Sequence, residues 1–313
     1  MKPTLSSLRV DKILTQASQM YRNASYVNEL IMPRLTVQES SGKFAKYGKE
    51  NLRAFAGQAY RAPGVQAHSV DYSVSQGSYI CSEKALEKIV PDEFQRNADL
   101  PYNPKRDTAE ILTDNIMINQ ELALATAMQN TSIITQYTTL TSTDQWTDTT
   151  NSDPIAHIQT GINTVRTATA QRPNVLLFGY ASWDKFKVHP LVREQLKYTG
   201  VLGNASDEDC MTWAKSFFRV EEVMIGEAVH NSAEEGQTDS LSDIWGDNVW
   251  VLYRTKTPTL MKATFGLTLT DVPRQVDVRR DEDRLGDIVR VRDSYDQCIM
   301  DAALCYLIKD TNA

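Results

Sequence analysis

The side chains best suited to chemistry are scattered along this chain. The four histidines, His68, His157, His189 and His230, fall in four different predicted elements. Asp281, Glu282 and Asp283 cluster oxygens of the kind hard cations favour. They lack the spacing of a dedicated cation loop and read as a solvated turn. Gly42 to Lys49 comes nearest to a phosphate-binding loop. Its spacing is one residue too long, and Glu50 stands where a Ser or Thr would hold Mg²⁺. There is no G-x-S-x-G, no H-E-x-x-H, and no G-x-G-x-x-G after a strand. His189 precedes Pro190 and reads as a helix break. Cys81, Cys210, Cys298 and Cys305 form no C-x-x-C pair and read as buried thiols of a reducing compartment. No catalytic, cofactor-binding or metal-binding residue is assigned. Triads assemble in space, so a soluble α+β enzyme without a recognisable motif stays open as an alternative.

Charge narrows the partners. The 313 residues carry a formal net charge of −7, which does not support general affinity for nucleic acid through a basic surface. The distribution is uneven. Residues 1–66 hold ten Lys and Arg against four acids, a net of +6, which leaves −13 on the remainder. A basic arm and an acidic body attract each other, within one chain or between copies. The N-terminus lacks the apolar run of a signal peptide. The apolar C-terminal run, Ala302 to Ile308, is far too short to cross a bilayer.

The elements follow from periodicity and punctuation. Met1 to Val37 reads as an extended arm with one or two short helices. Glu39 to His68 is polar, without a long apolar run, and leads to a strand in which Val70, Tyr72 and Val74 alternate with polar residues. Ser82 to Val90 is expected to form a short helix stopped by Pro91. Asp107-Thr108-Ala109-Glu110 resembles a capping box, opening a helix to about Gln129. Thr131 to Ser152 is a Thr- and Ser-rich loop. Asp153-Pro154 caps a second helix that Pro173 stops, and Val175 to Phe178 is a buried strand. Helices follow from Gly179 to Tyr198, broken at His189-Pro190, and again over Met211 to Phe218. Val220 to Ile225, Val249 to Tyr253 and Thr264 to Thr270 read as strands, and His230 to Ser242 as a polar surface loop. Gln275 to Arg280 and Ile288 to Asp293 form a hairpin around a charged turn. Gln297 to Ile308 closes the chain as an apolar strand. The mixture gives an α+β fold.

A loop as long as Glu39 to Cys81 inside a compact domain is usually disordered or functional. Its Phe44, Tyr47, Phe55 and Tyr60 are spaced aromatics on a polar background, a composition enriched at interfaces. They are expected either to lie on a neighbouring copy of the chain or to form a small satellite core of their own. The hairpin alternates Val with charge, so one face is expected to be buried. The other is expected to present Asp277, Arg279, Arg290 and Arg292 to neighbouring subunits.

One stretch of sequence resembles a known family. It runs through Arg172-Pro173-Asn174, Val175 to Phe178, Trp183, Phe186, His189-Pro190, Val192-Arg193 and Leu196-Lys197-Tyr198. These residues resemble tailed-bacteriophage major capsid proteins, whose axial domain carries such a run. Tyr79, Glu83, Ala85-Leu86-Glu87, Val90 to Glu93 and Asn97-Ala98 resemble that family's exit from its extended loop. The helix from Asp107, with Glu121 and Ala125, resembles its spine helix. Val276 to Asp293 and then Ala302-Ala303 resemble its closing strands. The resemblance implies an arm over 1–38, an extended loop over 39–81, and a peripheral domain with the spine helix over 82–151. It further implies an axial domain over 152–270, peripheral strands over 271–296, and a C-terminal strand over 297–313 returning to the axial domain. It implies a structural, non-enzymatic subunit of an icosahedral head enclosing double-stranded DNA, without cofactors. Its partners would be itself, in hexamers and pentamers, with scaffolding, portal and decoration proteins. DNA would be held without sequence reading, no membrane is involved, and assembly would take place in the host cytoplasm. Encapsulins share this fold, so a nanocompartment shell remains an alternative.

Overall fold

The computed structural model describes residues 26–47, 60, 63–66, 69, 74–96, 103–198, 206–233, 236–257, 259 and 262–312. In chain order its elements are α1 (Asn28–Ile31), β1 (Arg34–Thr36), β2 (Ser41–Tyr47), β3 (Val74–Ile80), β4 (Ser82–Pro91), α2 (Asp92–Arg96) and α3 (Pro104–Gln129). Then come β5 (Tyr137–Thr139), α4 (Pro154–Thr169), β6 (Val175–Gly179), α5 (Tyr180–Val188), α6 (Pro190–Tyr198) and α7 (Asp207–Phe218). The chain closes with β7 (Glu222–Gly226), β8 (Val229–Asn231), β9 (Leu241–Asp243), β10 (Val249–Leu252), β11 (Gly266–Asp281), β12 (Gly286–Ile299) and β13 (Cys305–Lys309).

Two sheets and one helix organise the molecule. The first sheet has the order β5-β13-β10-β6-β7. Its inner strands are apolar on both faces, as expected of strands covered from both sides. Leu176, Phe178, Val249, Val251, Tyr306 and Ile308 point to a core shared with Ile158, Trp183, Phe186, Val192 and Trp213 of α4 to α7. Val175, Leu177, Trp250, Leu252, Cys305 and Leu307 point the other way, to a core shared with Ile31, Leu124, Met128 and Trp245. At the end of β6, a Cβ on Gly179 would sit 2.0 Å from the Gly246 carbonyl oxygen, so only glycine fits there.

The second sheet has the order β1-β11-β12-β4, with β1 parallel to β11 and the other pairings antiparallel. Val276, Val289 and Val291 bury one face against Ala109, Leu112 and Ile116 of α3. The 26 residues of α3 span about 39 Å at ~1.5 Å per residue. The helix thus crosses from the second sheet to the first, where Leu124, Ala125 and Met128 are buried. It serves as the spine.

Several expected elements are corrected. Ser82 to Val90 is a strand, not a helix. Ser82 pairs with Tyr295, and Val90 with Asp287. Leu86 and Val90 alternate onto the valine face, so pairing with β12 overrides the helix-forming Lys, Ala, Leu and Glu. The spine helix starts at Pro104, earlier than the Asp107 box, because the Asn103 side chain accepts from the Arg106 N–H ahead of a proline at the first turn. The second helix ends at Thr169, where Ala170 takes a left-handed conformation, rather than at Pro173. The two strands expected at Thr264 to Thr270 and Gln275 to Arg280 are one strand, β11, irregular between Thr270 and Gln275. The division expected at 270/271 therefore falls inside it. Gln297 to Ile308 is not one strand. Residues to Ile299 finish β12, a 3₁₀ turn spans Ala302–Leu304, and β13 joins the first sheet. The polar loop from His230 carries the β8–β9 hairpin. The strand expected at Val70 is described from Val74 onward; residues 70–73 lie outside the described residues, as does the arm over 1–25.

Candidate functional site

Two polar nodes hold the root of the arm. In the first, Glu121 of the spine helix has its side chain at the centre of the apolar stripe formed by Met117, Leu124, Ala125 and Met128. It is fully buried. Its carboxylate accepts from the Val27 N–H (3.1 Å), the Asn28 N–H (2.8 Å) and the Trp245 indole N–H (2.6 Å). The two amides belong to the first turn of α1, whose N–H groups otherwise lack partners. Burial pushes the Glu121 carboxyl above its usual range, against the pull of these donors.

In the second node, Arg34 of β1 grips Asp293 of β12 with two parallel hydrogen bonds, 3.0 and 2.7 Å, and Arg274 adds a third at 3.2 Å. The Asp293 side chain is fully buried. Glu29 pairs with both arginines, at 3.0 and 3.7 Å. The Arg34 guanidinium is penalised by burial, but Asp293 and Glu29 outweigh that and raise its pKa. Asp293 sits in phase with Val289 and Val291, and Arg274 in phase with Val276, so the valine face runs into an ion cluster that the arm completes. Neither node was foreseen. The available signals were a carboxylate on the buried stripe of a helix and another in an apolar phase of a strand.

The hairpin charges are brought together as expected, on the sheet face opposite the valines. They are paired within the chain. Asp277 accepts from Arg290 at 3.2 Å, and its carboxylate lies 3.1 Å from Arg292 Nε. Arg292 also donates to Gln275 at 2.8 Å. Arg279 reaches Glu87 at 3.2 Å, and Glu83 lies 3.9 Å from Arg292. The expectation that all four project outward is corrected for Asp277, which is 1% exposed beneath the arginines. Arg279 stays exposed. Besides Asp277, the acids that balance this face, Glu83 and Glu87, come from β4, whose composition predicts a helix.

The loop aromatics separate. Phe44 is buried on its own chain with Leu267, Leu269 and Met300, not left free for another copy. Its ring lies over Gly77, its cross-strand partner, where a Cβ would come within 2.3 Å of it. Tyr60 is 90% exposed. Phe55 and the side chain of Tyr47 lie outside the described residues.

Of the histidines, His68 lies outside the described residues, and His157 and His189 have structural partners. His189 is buried, its Nε2 is 3.1 Å from the Ser152 hydroxyl, and burial lowers its pKa. It ends α5 just before Pro190, as expected of a helix break. His157 accepts from the Trp146 indole N–H at 3.2 Å. Among the described residues no group of His, Cys, Asp and Glu could hold a metal ion. No described helix is long and apolar enough to cross a membrane.

This architecture, a spine helix joining two sheets with a braced arm root, has known relatives. The model of the family "Phage major capsid protein E" matches residues 109–268, from the spine helix into β11. The chain belongs to that family. It is a structural, non-enzymatic capsid protein. It is 27% identical to the major capsid protein of Burkholderia phage BcepMu, over 98% of this chain and 99% of that one. Its fold is similar to that of a phage-related protein from Bordetella bronchiseptica, with a TM-score of 0.74, 22% identity, and coverage of 97% and 98% of the two chains. It is also similar to the capsid structure of cyanophage P-SCSP1u, with a TM-score of 0.59 at 10% identity, over 100% and 93% of the chains. The phage major capsid fold read from scattered motifs is therefore the fold of this capsid protein. Its place is the virion capsid, and its function is to form an oligomeric shell from copies of itself.

Proposed function

We propose that this subunit builds the icosahedral head of a tailed phage as hexamers and pentamers of itself, assembled in the host cytoplasm around double-stranded DNA that it does not read. Scaffolding, portal and decoration proteins are its further partners. Residues 1–38 act as the arm, 39–81 as the extended loop, and 82–151 with the strands over 271–296 as the peripheral domain. Residues 152–270 and the C-terminal strand form the axial domain, with β11 (Gly266–Asp281) crossing its edge. One observation carries this reading. Three groups that a monomer would gain little from burying, Glu121, Asp293 and Arg274, converge on Val27, Asn28, Glu29 and Arg34 of the arm root. A brace of that kind suits an element that must transmit load from one subunit to the next. Tyr47, Phe55, Tyr60 and Arg279 are the proposed contacts to neighbouring copies.

Negative-stain microscopy and sedimentation of the purified full-length chain test this. The expected result is closed particles or capsomers at moderate salt. Removing residues 2–25 should leave a folded subunit and abolish stable shells. A strictly monomeric profile of the intact chain at every concentration and ionic strength would overturn it.

A further inference from the structure

The first sheet ends in opposite charges. At the end where β6 and β7 begin and β10 finishes lies a groove of about 410 Å³. Its lining includes Arg172, Arg219, Arg254, Lys256 and Lys262. Against these five cations stand Glu221 and Glu222, paired with Lys256 and Arg254. Arg172 spends one nitrogen on the Phe218 carbonyl, which ends α7. Arg219 and Lys262 are exposed. In a chain with a formal charge of −7 this is a local excess of positive charge. The helix end accounts for Arg172. Arg219 is the C-cap of that helix, but its exposed side chain and that of Lys262 add positive charge beyond what the helix end requires.

The other end of the sheet carries the β8–β9 hairpin. Strand β7 starts beside the groove at Glu222 and finishes at Gly226, and the hairpin follows directly. Five residues at ~3.3 Å each place about 16 Å of strand between the two. The hairpin segment from Glu227 to Asp243 contains Glu227, Glu234, Glu235, Asp239 and Asp243, with His230 as its one basic residue type. Glu227, Asp239 and Asp243 are exposed. One hairpin face also carries Val229 and Leu241, 42% and 73% exposed, while His230 and Ser242 on the other face meet at 3.4 Å. A two-stranded ribbon with an uncovered apolar pair is weakly held by itself.

We propose that the acidic β8–β9 hairpin of one copy docks in the basic groove of the next, a head-to-tail contact that repeats around each ring of subunits. This rests on the reading of the chain as a self-assembling shell subunit. A heterologous contact joins two different patches of the same protein, and repetition closes it into a ring. Patches of opposite sign at opposite ends of one sheet meet that requirement, and the exposed Val229 and Leu241 supply apolar area that charge alone lacks. A nucleic-acid backbone would match the groove but leave the hairpin without a role.

Charge exchange tests the pairing. Arg219→Glu with Lys262→Glu reverses the groove, and Asp239→Lys with Asp243→Lys reverses the hairpin. Each double variant should keep the wild-type circular dichroism spectrum yet lower particle yield by ~10-fold or more at moderate salt. The quadruple variant, with both patches reversed, should recover yield to within about threefold of wild type. A quadruple variant as defective as the doubles would overturn the pairing, as would doubles that assemble normally. If the groove double assembles normally but its particles lose bound nucleic acid, the groove is a phosphate contact and the inference falls. If wild-type protein forms no particles at all, the shell reading itself fails.

Discussion

The two sheets of this subunit solve different problems. The inner strands of the five-stranded sheet are dry on both faces: every residue of β6 and β10 is buried. The four-stranded sheet is dry on one face only. Its other face is a lattice of Asp277, Arg279, Arg290, Arg292, Glu83 and Glu87, and even its valine face ends in the Arg34–Asp293–Arg274 cluster. Apolar burial is non-directional, so the first sheet is held by contact area. Ion clusters fix register and approach, so the second sheet specifies where the arm root and β4 must lie. The first is a core; the second is a joint.

The largest expected effect lies in the core. Phe178→Ala removes a ring packed between Trp183 at 5.2 Å and Phe186 at 5.1 Å. Loss of about 3–5 kcal/mol is expected from the transferred area and the cavity left behind. Urea unfolding of the dissociated subunit measures it. A loss below that of the joint variants described next would mean that the first sheet is not the stability centre.

Next is Asp293→Ala, which leaves Arg34 and Arg274 facing each other. Breaking a buried pair by removing one partner costs about 3–5 kcal/mol, and the partial exposure of both arginines puts this case at about 2–3 kcal/mol. The sharper form is a double-mutant cycle. Arg34→Met with Asp293→Leu should restore most of the stability while leaving the arm root less protected in hydrogen exchange. That outcome would separate stability from positioning, the distinction drawn between the sheets. A double variant that is stable and equally protected would show that the cluster adds nothing apolar contact cannot.

The same contrast governs what the sequence reveals. In the first sheet, local signals and tertiary environment agree: Asp153-Pro154 starts α4, and Val175 to Phe178 is apolar without interruption because both of its faces are covered. In the second sheet they conflict. Ser82 to Val90 has the composition of a helix and becomes a strand because β12 offers it an antiparallel partner far along the chain. Long-range pairing leaves no short-range mark, so Glu83 and Glu87 could not be placed opposite Arg292 and Arg279 in advance. The hairpin face itself was legible, since alternation of Val with charge is a property of one strand at a time. That Asp277 is covered by the arginines was not. The Glu121 node was legible only as an anomaly, a carboxylate in a helical stripe of Met, Leu and Ala. Which backbone amides it would meet depends on α1, some 93 residues earlier. Phe44 illustrates an ambiguity that sequence leaves open: an aromatic on a polar background suits an anchor for another chain or a small core of its own, and Leu267 and Leu269 cover it on its own chain.

A smaller, pH-dependent effect belongs to Glu121. Its folded pKa is raised by burial above the ordinary carboxylate value, so its contribution is greatest below about 4.3, the ordinary Glu range. That contribution is lost as pH rises through the raised folded pKa. Glu121→Gln keeps the shape but replaces one acceptor oxygen with a donor, leaving one of the three N–H groups without its partner. A cost of about 1–3 kcal/mol is expected at low pH. The stability gap between wild type and Glu121→Gln should narrow as pH rises, read from urea midpoints between pH 4 and pH 8. A gap that widens would mean that the three donors, rather than burial, set the protonation state.

The smallest effect on the isolated subunit is expected at Arg279. Its ion pair with Glu87 is 3.2 Å long, but both side chains are 47% exposed. Exposed pairs contribute about 0–1 kcal/mol, so Arg279→Ala should barely move the urea midpoint. The informative readout is assembly. Asp277, Arg290 and Arg292 are tied up within the sheet, so Arg279 is the hairpin charge best placed to meet another copy. If the charged face of the joint is a contact, Arg279→Ala lowers particle yield and salt tolerance while subunit stability stays level. If yield and salt tolerance are unchanged, the lattice of charges only fixes the register of β4, β11 and β12. The contact surfaces would then lie with the arm, the extended loop and the ends of the first sheet.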